Sequence, residues 1–401
     1  MSQRDNGTRA LRVVIFASML SKVADWQLGI VVPLAILAQT DSVAAALVAF
    51  ALRSVAYIAS PILGSIIDRF DKRTVFVLAQ IQQALCLALL TMVLSNRLAV
   101  ALLLLLSGFG GVVVSITGQF VLIPKLIDKS QRDVAVAKLA SAIEFSKVIG
   151  LLLGGLVFSV KGPATASWFI AALYLAAGLA ALLLPGIPQD GPRSRLREDL
   201  GIGFRWVVRP AILWLVVTMA TANLAVGDLE TVLVTTFGDD GIEAVVISIV
   251  LAAGLLVGAF GSRLGPHMFP SRPVEWRILA FQLMSFASLC VIAIPHPAVK
   301  VAGYTLISFA LGASNVASIT YRQETVPIEL AGRVNAVIRM FITGAIPLSG
   351  FIYAWASRLD DAWFWAPALV LAAVSAAVWA AHTYRSGRPE AVLAEPKGEV
   401  S

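Results

Sequence analysis

Lys22, Asp25, Arg53, Glu144, Lys147, Asp228 and Glu230 carry charge inside long apolar stretches. Charge in such a setting is costly, so each is a functional candidate. Lys22 and Asp25 are three residues apart, as are Glu144 and Lys147, so each pair shares a helix face and can neutralise itself. Arg53 has no partner in its own segment. It lies roughly 15 Å below the outer end of its helix and Asp25 roughly 20 Å below the end of its own, at 1.5 Å per residue. An arginine spans that difference, so Asp25 is expected to be shared between Lys22 and Arg53. Trp26 adds an aromatic face beside this charge. Asp25, Trp26 and Arg53, with Glu144, Lys147 and Asn223, are candidates for a substrate cavity; the alternative is a fixed ion-pair cluster that holds helices together. Asp228 and Glu230 are two apart and point in opposite directions, so at most one faces a cavity. Asp228 has no basic residue within a turn. A carboxyl free of a neighbouring cation can alternate between neutral and charged, which makes Asp228 the first candidate for a proton carrier, then Glu230 and Asp25. The competing role for Asp228 is to cap a helix break at Gly227.

These residues need helices to hold them. The chain is 58% hydrophobic and only 14% charged, with a mean hydropathy of +0.85. A soluble domain cannot hide that much apolar surface. A membrane helix needs about 20 mainly apolar residues. About twelve such runs are present: 11–38, 43–67, 74–95, 98–123, 134–160, 164–185, 211–237, 242–264, 276–295, 298–320, 333–357 and 362–384. The first is expected to be a span rather than a cleaved signal. Short polar turns such as Gln39–Ser42 and Ser95–Arg97 make neighbours antiparallel. Lysine and arginine concentrate on one side, which predicts both termini in the cytoplasm of an inner-membrane protein. Trp168, Trp214, Trp276, Trp355, Trp363 and Trp379 fall near span ends and are expected to be interfacial anchors. The +7 formal charge fits this orientation better than nucleic-acid binding. Cys86 and Cys290 sit in apolar runs and the three histidines are scattered, so no metal site is expected. No phosphate-binding loop is visible, so no cofactor is expected, and energy is expected from an ion gradient.

The longest polar stretch divides the spans six and six. This gives an N-terminal bundle over 1–186, a cytoplasmic linker over 187–209, a C-terminal bundle over 210–386 and a disordered tail over 387–401. Leu196, Leu200, Phe204 and Val207 suit an amphipathic helix with its apolar face toward lipid; a charged linker is the alternative. A weak repeat relates the halves: Gly64-x-x-x-Asp68-Arg69 corresponds to Gly258-x-x-x-Ser262-Arg263, and Ile123-Pro124 before Arg132 to Val326-Pro327 before Arg333.

Gly64-x-x-x-Asp68-Arg69-Phe-Asp71-Lys72-Arg73 resembles the loop signature between helices 2 and 3 of the major facilitator superfamily. Gly64, Asp68, Arg69 and Arg73 match, Lys72 is a conservative variant, and Asp71 stands where glycine is usual. The resemblance implies an all-α membrane fold of two pseudo-symmetric six-helix bundles. It also implies a gating lock in which Asp68 pairs with Arg333 or Arg339. Gly150-Leu-Leu-Leu-Gly154-Gly155 resembles the glycine-rich motif of drug:proton antiporters, with Leu151 in place of proline; close helix packing is the alternative. Asp25-Trp26 and the stretch from Gln323 through Pro327 to Arg333 resemble the macrolide-efflux and enterobactin-exporter branch. The branch implies a proton-coupled exporter of amphipathic small molecules, such as a drug, a siderophore or a secondary metabolite, working in the bilayer by alternating access; a monomer is expected. An uptake symporter for a small nutrient is the runner-up. A non-transporting sensor or scaffold is a third reading. No nucleophile–base set points to an enzyme.

Overall fold

The computed structural model describes residues 3–67, 69–118, 122, 126–127, 132–186, 196–327 and 330–386. The described residues form helices α1 (Gln3–Thr40), α2 (Val43–Val55), α3 (Ser60–Ile67), α4 (Lys72–Leu90), α5 (Arg97–Ile116), α6 (Arg132–Ala181), α7 (Leu196–Val207) and α8 (Pro210–Val226). They continue with α9 (Leu229–Asp239), α10 (Ala244–Leu264), α11 (Val274–Ile292), α12 (Pro297–Thr325), α13 (Ala331–Gly344), α14 (Ile346–Ala356) and α15 (Ala366–Ser386). Among the described residues, ten helices are long and apolar enough to cross a membrane. One of them, within α6, is two spans. At Gly162 the backbone takes φ 79°, a conformation open to glycine, and Pro163 starts the returning helix. Gly150 packs on Val23 and Trp26, yet Tyr174 reaches Asp25 one residue away. Twenty-four residues of straight helix would span about 36 Å, so the chain must fold back between them. A further span is built from α2, a 3₁₀ turn at Ala56–Ala59 and α3. The described residues therefore make twelve crossings, and both ends of the bundle lie on one side, here called the terminal side.

Polar turns set the helix starts. The Ser42 Oγ accepts the Ala45 N–H and the Asn96 Oδ1 accepts the Ala99 N–H, which satisfies donors that a helix start leaves open. Asp71 replaces the usual glycine for the same reason. Its φ is −59°, so no glycine is needed, and its Oδ2 accepts from both N–H and hydroxyl of Thr74 at 2.8 Å. Lys72 is fully buried and donates to the carbonyls of Ile67 and Phe70, fastening the turn between α3 and α4.

Two expectations are corrected. The α7 helix forms, but Val207, at the end of its apolar face, does not lie toward lipid. Val207 is buried with Val334, Val337 and Ile338 of α13, and Phe204 stacks edge-on against Phe341 with centroids 5.8 Å apart. A neighbouring apolar helix offers tighter packing than fluid chains. Trp379 is no interfacial anchor either. It is fully buried and donates its indole N–H to the Glu275 carbonyl at 2.8 Å. The tail from 387 onward and residues 123–125 lie outside the described residues.

The helices before residue 187 meet those after 209 mainly on the side opposite the termini. There α1 packs on α9, α2 on α14 and α6 on α10. One buried apolar cluster, including Ile30, Leu47, Leu151, Leu233 and Ile247, runs across this seam. The Ser159 hydroxyl accepts the Val245 N–H across it at 3.1 Å. On the terminal side the contact is slighter, made by α13 against Ala56–Ala59 and α3.

Candidate functional site: a cavity and two buried carboxylate settings

A cavity of about 970 Å³ opens between the helices. Its walls come from α8, α9, α10, α12 and α13, from Gln282 of α11 and Ile346 of α14, and from Glu144 and Lys147 of α6. Its polar residues include Asn223, Glu230, Tyr304, Ser308, Asn315, Arg263, Arg322 and Arg339. Apolar surface alternates with them at Met219, Leu255, Leu311 and Ile342.

Glu144, Lys147, Asn223 and Glu230 thus lie on the wall. The Lys147 ammonium pairs with Glu144 at 2.7 Å and stands 5.5 Å from the Trp26 ring centre, within cation–π range. Glu230 also feels Lys147 across the seam, and the Tyr304 hydroxyl lies beside its carboxylate. The amide of Asn223 donates to the Ile342 carbonyl at 2.7 Å, tying α8 to α13.

Asp25, Trp26 and Arg53 do not line this cavity. Asp25 is satisfied on every side within the first six spans. Lys22 donates to its Oδ2 at 2.8 Å and Arg53 to its Oδ1 at 2.6 Å. The Tyr174 hydroxyl donates to Oδ1 at 2.7 Å, and Arg53 also reaches that hydroxyl at 3.4 Å. The sharing of Asp25 inferred from helix depth is present. Tyr174 was missed because 149 residues separate it from Asp25, and no local spacing reports such a contact.

Asp228 lies outside the cavity as well, at the break between α8 and α9. It is 7% exposed. Its Oδ1 accepts from the Thr231 hydroxyl at 2.8 Å, while Oδ2 has no hydrogen-bond partner among the described residues. Oδ2 faces the seam: a Cβ added to Gly350 of α14 would lie 2.5 Å from it and 2.7 Å from Ala51 Cβ of α2. Asp228 occupies the N-cap position of α9, but its side chain bonds a hydroxyl rather than a backbone N–H.

The glycine motif of α6 divides in two. Gly150 and Gly154 seat α1 at Val23, Trp26 and Gln27, whereas Gly155 faces Ser248 and the Ala244 carbonyl of α10 across the seam. Only the last can respond to relative movement of the two helix sets. Gly64 meets nothing within 4 Å of an added Cβ. Arg69 is exposed, Arg73 is half-buried and Arg333 is exposed. Arg339 lines the cavity. Asp68, the centre of the expected lock, lies outside the described residues.

A polar stripe runs along α12. Tyr304, Ser308, Asn315, Ser318 and Arg322 recur three, four or seven residues apart and all reach the cavity. The period of 3.6 marks one helix face, but Arg322 reads from the sequence only as a charge at a span end.

A helical bundle around a mixed polar and apolar cavity is an arrangement that suits a membrane transporter. Residues 14–350 match the Major Facilitator Superfamily, and the chain belongs to that family: it is a secondary transporter of this type. No curated protein sequence matches it closely enough to count as a relative. Among solved structures it is similar to a bacterial homologue of the iron transporter ferroportin in an inward-facing state. The TM-score there is 0.75 at 16% identity, over 95% of this chain and 99% of the other. It is similar to the nucleoside transporter NupG, with TM-score 0.73 at 15% identity over 94% and 99%. It also resembles a bacterial homologue of the human lysosomal transporter Spinster, with TM-score 0.72 at 14% identity over 96% and 98%. At these identities the likeness is one of fold.

Proposed function

We propose that this chain is a proton-coupled exporter of amphipathic small molecules, lying in the inner membrane with both termini cytoplasmic. The excess of lysine and arginine on the terminal side supports that orientation. Two bundles, 1–186 and 210–386, rock about the cavity, joined by the 187–209 linker. The observation that carries the reading is the cavity itself. It mixes charge with apolar surface, it is walled by helices after residue 209 with Glu144 and Lys147 reaching it from the other set, and the two sets are packed together on the far side. Rocking that parts the far seam would open the cavity outward.

Proton coupling is assigned to α9. Asp228 has one oxygen at the seam with no hydrogen-bond partner among the described residues, so parting α2 from α14 would bring it to water. Glu230 already faces the cavity beside Tyr304. The two thus sample different sides of the transport cycle. Asp25 serves as a structural anchor, because Lys22, Arg53 and Tyr174 hold both of its oxygens.

The test is proton flux in proteoliposomes holding a lumenal pH dye, challenged with amphipathic acids, amines and neutral compounds. Substrate-dependent movement of protons opposite to the compound supports the exporter. Protons and compound moving together would instead give an uptake symporter, and no compound-dependent flux would remove proton coupling.

A further inference from the structure

The charge on the cavity wall is uneven. Its carboxylates are Glu144 and Glu230, and both lie at the Lys147 end. Glu230 adjoins Tyr304 of α12, and Arg322 lies eighteen residues further along that helix, roughly 27 Å away. Arg263, Arg322 and Arg339 occupy that further end. Arg322 is held but not neutralised. Its Nε donates to the Ser318 carbonyl at 3.2 Å and its Nη1 to Asn335 Oδ1 at 3.3 Å. Both acceptors are uncharged, and the charged neighbour of Arg322 is another arginine, Arg339. Arg322 and Arg263 make no ion pair with the described residues.

We propose that the cavity receives an amphipathic anion whose carboxylate or phosphate is held by Arg322, with Arg263 adding positive potential at the same end. This rests on the transport reading above and names its substrate class. A guanidinium has five N–H donors in a planar fork. Two are used here, so the Nη2 edge and the second Nη1 hydrogen remain for an anion. The two bonds to α12 and α13 fix the fork before a ligand arrives, which lowers the ordering cost of binding. Arg339 beside Arg322 raises the local positive potential, and an incoming anion relieves that repulsion. The stripe of Ser318, Asn315 and Ser308 offers polar partners along the path, and Leu311 and Ile319 receive an apolar body.

The experiment measures thermal shifts of the full-length purified protein with matched probes: 2-naphthoate, naphthyl phosphate, 2-naphthamide and 2-naphthylmethylamine. Short-chain phosphatidylglycerol forms a separate arm. The expected result is stabilisation by an acid or phosphate probe and none by the amide or amine. Arg322→Gln should weaken that binding at least tenfold, and Arg322→Lys should retain part of it. Arg263→Gln should weaken it less, and its effect should fade with added salt. Preference for the amine, equal shifts for all probes, no shift with any acid, or a response confined to the lipid overturns the proposal. A fold defect in Arg322→Gln leaves the probe ranking on the unchanged protein decisive. Anion binding without proton flux would instead remove the coupling reading and keep this one.

Discussion

Asp25 and Asp228 are both aspartates buried mid-span, yet their surroundings are opposite. Asp25 receives three donors at 2.6–2.8 Å, all from the first six spans. Asp228 receives one hydroxyl, and its second oxygen, beside Gly350 at the seam, has no hydrogen-bond partner among the described residues. A carboxylate with all its partners inside one packed unit keeps them when that unit moves as a body. A carboxyl at a seam between two units changes its environment whenever they part. The first suits a fixed strut and the second a coupling group.

The largest effect should come from breaking the strut. Asp25→Ala leaves Lys22 and Arg53 buried and unpaired, and losing one partner of a buried ion pair costs about 3–5 kcal/mol. The expected outcome is a large fall in thermal stability in detergent, read by fluorescence-detected size exclusion. Tyr174→Phe removes one donor and should cost only about 1–2 kcal/mol. Normal stability in both variants would dissolve the contrast between the two aspartates.

Next come the seam glycines. Gly155→Leu and Gly350→Leu add bulk where a Cβ alone already collides with Ser248, Ala244, Asp228 or Ala51. Both should hold the far seam apart and raise the labelling of a cysteine placed there by a membrane-impermeant thiol reagent. Gly64→Ala meets open space and should not. Equal labelling in all three would mean that the seam does not govern access.

Glu230→Gln is expected to fold normally, because Glu230 lies on the cavity wall. It should lose most proton-driven accumulation in vesicles. The smallest effect belongs to Glu144→Gln. The Glu144 side chain is 67% exposed, and exposed pairs contribute about 0–1 kcal/mol. Its stability should be unchanged within that range.

Much of this arrangement is legible in the sequence for a simple reason. Helix period and rise convert residue numbers into face and depth, so the Lys22–Asp25–Arg53 cluster follows from counting. The break at residues 161–163 follows from Lys161-Gly-Pro163 between apolar runs. What stays hidden depends on which helix lies beside which. Tyr174 next to Asp25, Gly350 next to Asp228 and the burial of Trp379 are all long-range contacts. Apolar periodicity marks a buried face without naming its neighbour, which is why spacing alone does not show that Val207 of α7 packs on α13. The polar stripe on α12 differs, since its spacing is local and readable.

The central claim is that Asp228 couples protons to transport while Asp25 only holds the fold. Asp228→Asn is its direct test, with substrate exchange and proton-driven accumulation of the same amphipathic compound measured in the same vesicles. The account predicts that exchange persists and that pH-driven accumulation is lost. Uphill, pH-dependent accumulation surviving in that variant would contradict it.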